Sequence, residues 1–259
     1  MLEALTLAPE QALLLWLYAS LRCGAALAFL PALGGQLIPL RVRIGLSGAF
    51  ALLILDGAAA PSPPADVLSM AGVTEIFGEI LIGAVAALAL HTAFAAAITA
   101  GEWLAQTMGL GFATLVAPGS APTPVLGGIF VLLCWAVFLT SGGHLLLLRL
   151  IAESYAVLPN AGALFEPARL SAIAGWGSLA FLSGMMMALP VGVAMLLVNL
   201  ALAVASRSAS QLNLFSVGFP VMMMVGLTLL PLAFPVFVDG LSDALSTMQE
   251  QAAEVLLGG

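Results

Sequence analysis

Long apolar runs, separated by short polar or proline-rich breaks, make up the chain. Residues 80–101, 103–148, 170–206 and 208–238 contain no Asp, Glu, Lys or Arg. A helix needs about 20 apolar residues to cross a hydrocarbon core about 30 Å thick. Each run is long enough for a crossing, and some could hold more than one. The breaks divide the chain into about six hydrophobic segments, which are predicted as helices of one membrane domain over 1–259. The first runs roughly 11–30, between Pro9 and Pro31, and the second roughly 41–58, ending at Asp56-Gly57. After Pro61-Ser62-Pro63-Pro64, the third runs from Val67 to about Leu110, too long for one simple crossing. The cluster from Ala117 to Pro124, APGSAPTP, is a strong breaker. The fourth, fifth and sixth segments cover roughly 125–152, 170–206 and 214–238.

Prolines interrupt this pattern. Pro190 falls within the fifth segment, and Pro220, Pro231 and Pro235 within the sixth. Proline removes a backbone donor and clashes with the preceding turn. Bare lipid cannot satisfy the freed groups, so broken helices packed inside an assembly are expected. Small residues recur every four positions at Ala89, Ala93, Ala97 and Gly101, and at Gly184, Ala188 and Gly192. Such faces let helix backbones approach closely.

Composition agrees with a membrane location. Hydrophobic residues make up 62% of the 259 residues and charged ones 7%, against roughly 25% charged in soluble domains. Six arginines and no lysine are scattered along the chain, so no basic stripe exists and nucleic acid is not an expected partner. The N-terminus, MLEALTLAPEQ, is acidic and lacks the basic region of a cleaved signal peptide. Six crossings would put both termini on one side. Arg41, Arg43 and Arg207 would then oppose Arg149 and Arg169, a balance that fixes no topology. Arg22 lies inside the first segment.

Candidate chemistry is sparse. Cys23 and Cys134 are expected as buried free thiols. Gly45-Leu46-Ser47-Gly48 matches the GxSG tetrapeptide of intramembrane serine proteases, with His91 and His144 as possible bases. Helix packing through Gly45 and Gly48 is the simpler reading. Glu75 and Glu79 share a helix face and are expected at the membrane interface. His91 and Glu102 are expected to bond a neighbouring subunit, although a proton relay could use the same groups. No metal-ligand spacing is present and no cofactor is expected. Met185, Met186 and Met187, and Met222, Met223 and Met224, form two triples. Flexible methionines could seal a pore around changing cargo or simply fill a core.

Three stretches together resemble the FliR/SpaR/SctT family of type III export-gate subunits. The first runs from Glu79 through Gly83, then Ala100-Gly101-Glu102-Trp103, to Met108-Gly109-Leu110-Gly111-Phe112-Ala113-Thr114. The second holds Pro124-Val125-Leu126-Gly127, Gly142-Gly143-His144 and Leu158-Pro159. The third holds Ala188, Pro190, Val191 and Asn199, then Gln211-Leu212-Asn213-Leu214-Phe215-Ser216-Val217-Gly218-Phe219-Pro220. This last run is the most specific, and its SVGFP ending favours the flagellar branch. Two positions depart from the family pattern. Ala117 replaces a common acidic residue before Pro118, and Met222 replaces a common Lys.

The resemblance implies an all-α polytopic membrane protein of kinked helical hairpins, similar to a FliP–FliQ fusion, whose hairpins can rise partly above the lipid. It implies a flagellar export-gate subunit in the bacterial inner membrane, within the basal body. The implied partners are FliP-type and FliQ-type gate subunits, FlhB-type and FlhA-type export proteins, membrane lipid, and unfolded flagellar proteins in transit. It implies no catalysis. It also implies a plug loop over about 109–122, formed from Met108, Gly109, Gly111, Phe112, Ala113, Thr114, Leu115, Val116 and Pro118. Two other classes fit the hydrophobic pattern: a small secondary transporter with broken helices, and a protease using Ser47.

Overall fold

Runs rich in Ala, Leu and Met favour helix, and where lipid is the solvent a helix also satisfies its own backbone. The computed structural model describes residues 9–31, 39–55, 63–64, 66–111, 125–159, 161–208 and 217–258. The described residues form helices α1 (Pro9–Phe29), α2 (Leu40–Leu55), α3 (Met70–Thr107), α4 (Val125–Thr140) and α5 (Gly143–Val157). A short 3-10 turn (Ala161–Phe165) leads to α6 (Pro167–Ser208), α7 (Phe219–Leu232) and α8 (Phe234–Leu257). No strand occurs among the described residues.

Three of these helices are long and apolar enough to cross a membrane: Pro9–Phe29, Met70–Thr107 and Pro167–Arg207. The pairs α4–α5 and α7–α8 would each add one broken span. The 16 residues of α2 reach only about 24 Å at 1.5 Å per residue, short of the hydrocarbon thickness. In contrast, the 38 residues of α3 and the 42 of α6 reach about 57 and 63 Å, well beyond it.

The breaks fall partly where the prolines predicted and partly elsewhere. α6 runs unbroken through Pro190. Pro190 cannot donate to the Met186 carbonyl one turn back, and with both residues exposed in this chain that carbonyl is left to a neighbouring element or a local helix adjustment, since lipid offers no donor. The sixth segment does break, with a 64° bend between α7 and α8. Ala233 ends α7 by donating to the Leu229 carbonyl, and Pro235 in the first turn of α8 has no N–H to continue the ladder. α8 then continues to Leu257, well past the expected end near 238. The fourth segment was expected as one helix. It breaks at Gly142, whose φ of +74° suits glycine, and resumes as α5 to Val157.

The chain forms two compact units, with boundaries inside α3, α6 and α8. Unit 1 comprises residues 1–92, 142–176 and 246–259, and unit 2 residues 93–141 and 177–245. In unit 1, α1 packs on α2, and the Trp16 indole Nε1 donates to the Gly48 carbonyl at 2.9 Å. A Cβ at Gly48 would strike the Trp16 ring, whereas one at Gly45 would meet nothing within 4 Å. The packing expected of both glycines therefore holds for Gly48 and is corrected for Gly45, which faces outward. Arg169 Nη1 caps the last turn of α8 by donating to the Val255 carbonyl at 2.7 Å. In unit 2, Phe94, Trp135 and Phe138 form a tilted and edge-to-face cluster with centroids 4.9–6.5 Å apart. Phe130 meets Phe237 at 4.8 Å. Cys23 and Cys134 are buried and free.

Candidate functional site

Two constellations gather most of the described motif residues, one in each unit. The first is ionic. Arg22 of α1 is fully buried and Glu79 of α3 is 2% exposed. Arg22 Nε and Nη2 donate to the two Glu79 oxygens at 2.8 and 2.7 Å, a bidentate pair. Nη1 donates to Ser154 Oγ at 2.7 Å, and Nη2 also to the Leu158 carbonyl at 2.9 Å. The guanidinium lies 3.9 Å from the centre of the Tyr155 ring, a cation–π contact. The Tyr155 hydroxyl donates to the Ala19 carbonyl, closing the network.

The sequence explains this geometry one turn at a time. Glu79 and Gly83 are four apart and share a face of α3. A side chain at Gly83 would collide with the Arg22 carbonyl, so glycine lets α1 come within backbone contact. One turn earlier, Glu79 lies beside the guanidinium. Leu158 ends α5, its N–H bonding the Ser154 carbonyl, so Arg22 places a cation at a helix C-terminus, where the dipole favours it. The spacing Glu-x-x-x-Gly thus encodes an ion pair and a close helix crossing together. Glu79 belongs to the core and not to the membrane interface where it was expected. Sequence reading noted Arg22 alone and missed its partner. The available signal was a lone arginine and lone carboxylates in otherwise apolar segments, which commonly pair with one another.

The second constellation surrounds the C-terminus of α3 in unit 2. Leu110 N–H bonds the Ala105 carbonyl at 2.9 Å and Gly109 N–H bonds the Gln106 carbonyl at 3.0 Å. With φ of +81° at Gly109, this is a Schellman stop, which requires a residue tolerant of left-handed backbone. The Asn199 amide of α6 donates to the Thr107 carbonyl at 3.4 Å, meeting another terminal acceptor. Met108 is fully buried and fills the space that a side chain at Gly226 of α7 would take. Phe219, at the start of α7, lies 3.1 Å from the position of a Cβ on Gly109.

Further contacts brace this end of α3. Gly101 meets the Gly127 backbone of α4 so closely that a Cβ would come within 2.7 Å of it. A Cβ at Gly184 would lie 2.7 Å from the Ala96 carbonyl, and one at Gly192 would enter the Trp103 ring. Both small-residue faces are therefore interfaces between packed helices.

The other predicted residues separate clearly. Phe112, Ala113, Thr114, Leu115, Val116, Pro118, Gln211, Asn213 and Phe215 lie outside the described residues. Gly111 is half-buried, and a side chain there would strike Gln106. Gly143 is buried, while His144, Pro190 and Pro220 are exposed. Gly218 is buried and Phe219 half-buried. The methionine triples divide. Met187 is in the core against Gly240, Met186 and Met224 are exposed, and Met185, Met222 and Met223 are half-buried. Ser47 donates to the Ile44 carbonyl of its own helix. His91 is exposed on α3.

Such a chain is an all-helical polytopic membrane protein, held among its described residues by the buried Arg22–Glu79 ion pair and by glycine-mediated helix crossings. The profile of bacterial export proteins, family 1, matches residues 13–248, and the chain belongs to that family. The flagellar biosynthetic protein FliR of Escherichia coli (strain K12) is 35% identical over 246 residues, covering 93% of this chain and 92% of that protein. FliR of Pectobacterium carotovorum subsp. carotovorum is 36% identical over 234 residues, covering 90% and 88%. FliR of Aquifex aeolicus (strain VF5) is 30% identical over 246 residues, covering 90% of each chain.

Proposed function

We propose that this chain is the FliR-type subunit of a flagellar type III export gate in the bacterial inner membrane. It would help form and close the channel through which unfolded flagellar proteins leave the cytoplasm. FliP-type and FliQ-type subunits would complete the gate, with FlhB-type and FlhA-type proteins beside it. The chain itself would catalyse nothing. The hydroxyl of Ser47, bound to its own helix, supports a packing role for the GLSG sequence.

The observation that carries the reading is the anchored end of α3. Gly109, Met108, Asn199, Phe219 and Gly226 fix the point where the helix stops and the segment 109–122 begins. That segment is apolar, uncharged and rich in Gly and Pro, a composition suited to a hydrophobic constriction that excludes water. We assign it as the plug, with the half-buried methionines Met185, Met222 and Met223 as candidates for a seal. The lengths of α3 and α6 support hairpins that extend beyond the lipid. Deleting residues 109–122 should make the assembled gate leak small ions. Wild-type conductance in an intact assembly would refute the plug.

A further inference from the structure

Three contacts bind α6 to α3 along one seam of unit 2. Gly184 lies against the Ala96 carbonyl, Gly192 against the Trp103 ring, and the Asn199 amide on the Thr107 carbonyl. They fall about two turns apart on α6, so the two helices form a frame that reaches to the stop of α3. The start of α8 is also held, with Phe237, Leu241, Ala244 and Leu245 buried. α7 differs from both. Of its 14 residues, Gly226 alone is buried.

One face of α7 makes its hold on the frame. Phe219, Met222 and Gly226 are three and four apart and share that face. A Cβ on Gly109 would lie 3.1 Å from the Phe219 ring and 3.6 Å from Met222 Cε, and one on Gly226 would lie 2.6 Å from Met108 Cγ. The face therefore closes over Met108 and Gly109, where α3 stops. Beside it α7 is open. A groove of about 720 Å³ separates Leu227, Leu230 and Pro231 of α7 from Leu126, Phe130 and Leu133 of α4. At its far end α7 stops at Ala233, and Pro235 carries no N–H into the next turn, across a 64° bend. Hinges are commonly a few residues at the ends of elements, and elements with few buried contacts open most easily.

We propose that α7 is a hinged latch on the end of α3. With its Phe219–Met222–Gly226 face on Met108 and Gly109, it holds the start of the plug segment to the α3–α6 frame. Turning about Ala233 into the groove, it releases that start. The arrangement seen is the latched one, because the contacts are made. The proposal deepens the export-gate and plug readings and rests on them. It assigns the opening motion to the helix of unit 2 that gives up the least burial by moving.

A disulfide across the latch tests it. Met108→Cys with Gly226→Cys brings two sulfurs within bonding reach, while Cys23 and Cys134 are buried. In the full gate, in cells exporting flagellar subunits, oxidation should form the bond and cut export about tenfold or more, and reduction should restore it. The reduced form of the same variant is the reference, so a folding defect does not mimic the result. Full export with the bond formed in nearly all chains would overturn the latch. Failure of the bond to form in an assembled gate would do the same. Phe219→Ala loosens the clasp and should raise resting ion leakage about tenfold; wild-type leakage in an assembled gate would count against the latch. If the 109–122 deletion leaks while both latch variants match the wild type, the plug stands and the latch falls. If the deletion does not leak, the plug reading falls and the latch with it.

Discussion

Arg22 is the residue on which unit 1 turns. Its five donors and flat face serve a bidentate carboxylate, a hydroxyl, a helix-terminal carbonyl and an aromatic ring together, which a lysine could not reproduce. Removing Glu79 alone leaves a buried cation, at a typical cost of about 3–5 kcal/mol. We therefore expect Glu79→Ala to lower the thermal unfolding midpoint of the purified chain sharply. The double replacement Arg22→Leu with Glu79→Leu should recover more than half of that loss, because it removes both charges. Equal destabilisation by the single and double variants would contradict the ion-pair account. At Gly109, φ of +81° makes Gly109→Ala strained by roughly 1–2 kcal/mol. Its expected effect is faster proteolytic cleavage near the end of α3, measured against the wild-type chain.

Helices were the most legible feature of the sequence, and their ends the least. Uncharged length marked the apolar segments, because lipid imposes a minimum span. Proline marked the α7–α8 break but misled at Pro190, through which α6 runs unbroken. The break at Gly142 depended on left-handed backbone, which a Gly-Gly pair permits without requiring. The small-residue faces were visible as a pattern, but their partners were not. Gly101 and Gly128 illustrate the difference. A side chain at Gly101 would meet the α4 backbone, while one at Gly128 would meet open space within this chain. Gly101→Ala should thus weaken unit 2, whereas Gly128→Ala should be tolerated by the isolated chain and even gain about 0.5–1 kcal/mol of helix stability. Parallel unfolding curves in detergent distinguish the two, and equal effects would refute the close crossing of α3 and α4.

At the scale of the molecule, the chain leaves much apolar surface for others to cover. The most hydrophobic stretch of α6 is only 28% buried, against 67% for α3. Leu196, Leu197, Leu200 and Val204 are all more than half exposed. Lipid or neighbouring subunits must cover such a surface. Membrane class was legible from composition, and family from ordered motifs, because both are written along the chain. The pairing of Arg22 with Glu79, and of Gly109 with Phe219, was not, since each joins residues far apart in sequence and close only after packing. The central claim is that the chain works as one subunit among unlike ones. Affinity purification of the full-length chain from the membranes of its own cells, with mass identification of every bound chain, tests this most directly. The account predicts several different small membrane proteins of the FliP and FliQ types. Recovery of this chain alone, or with only further copies of itself, would contradict it.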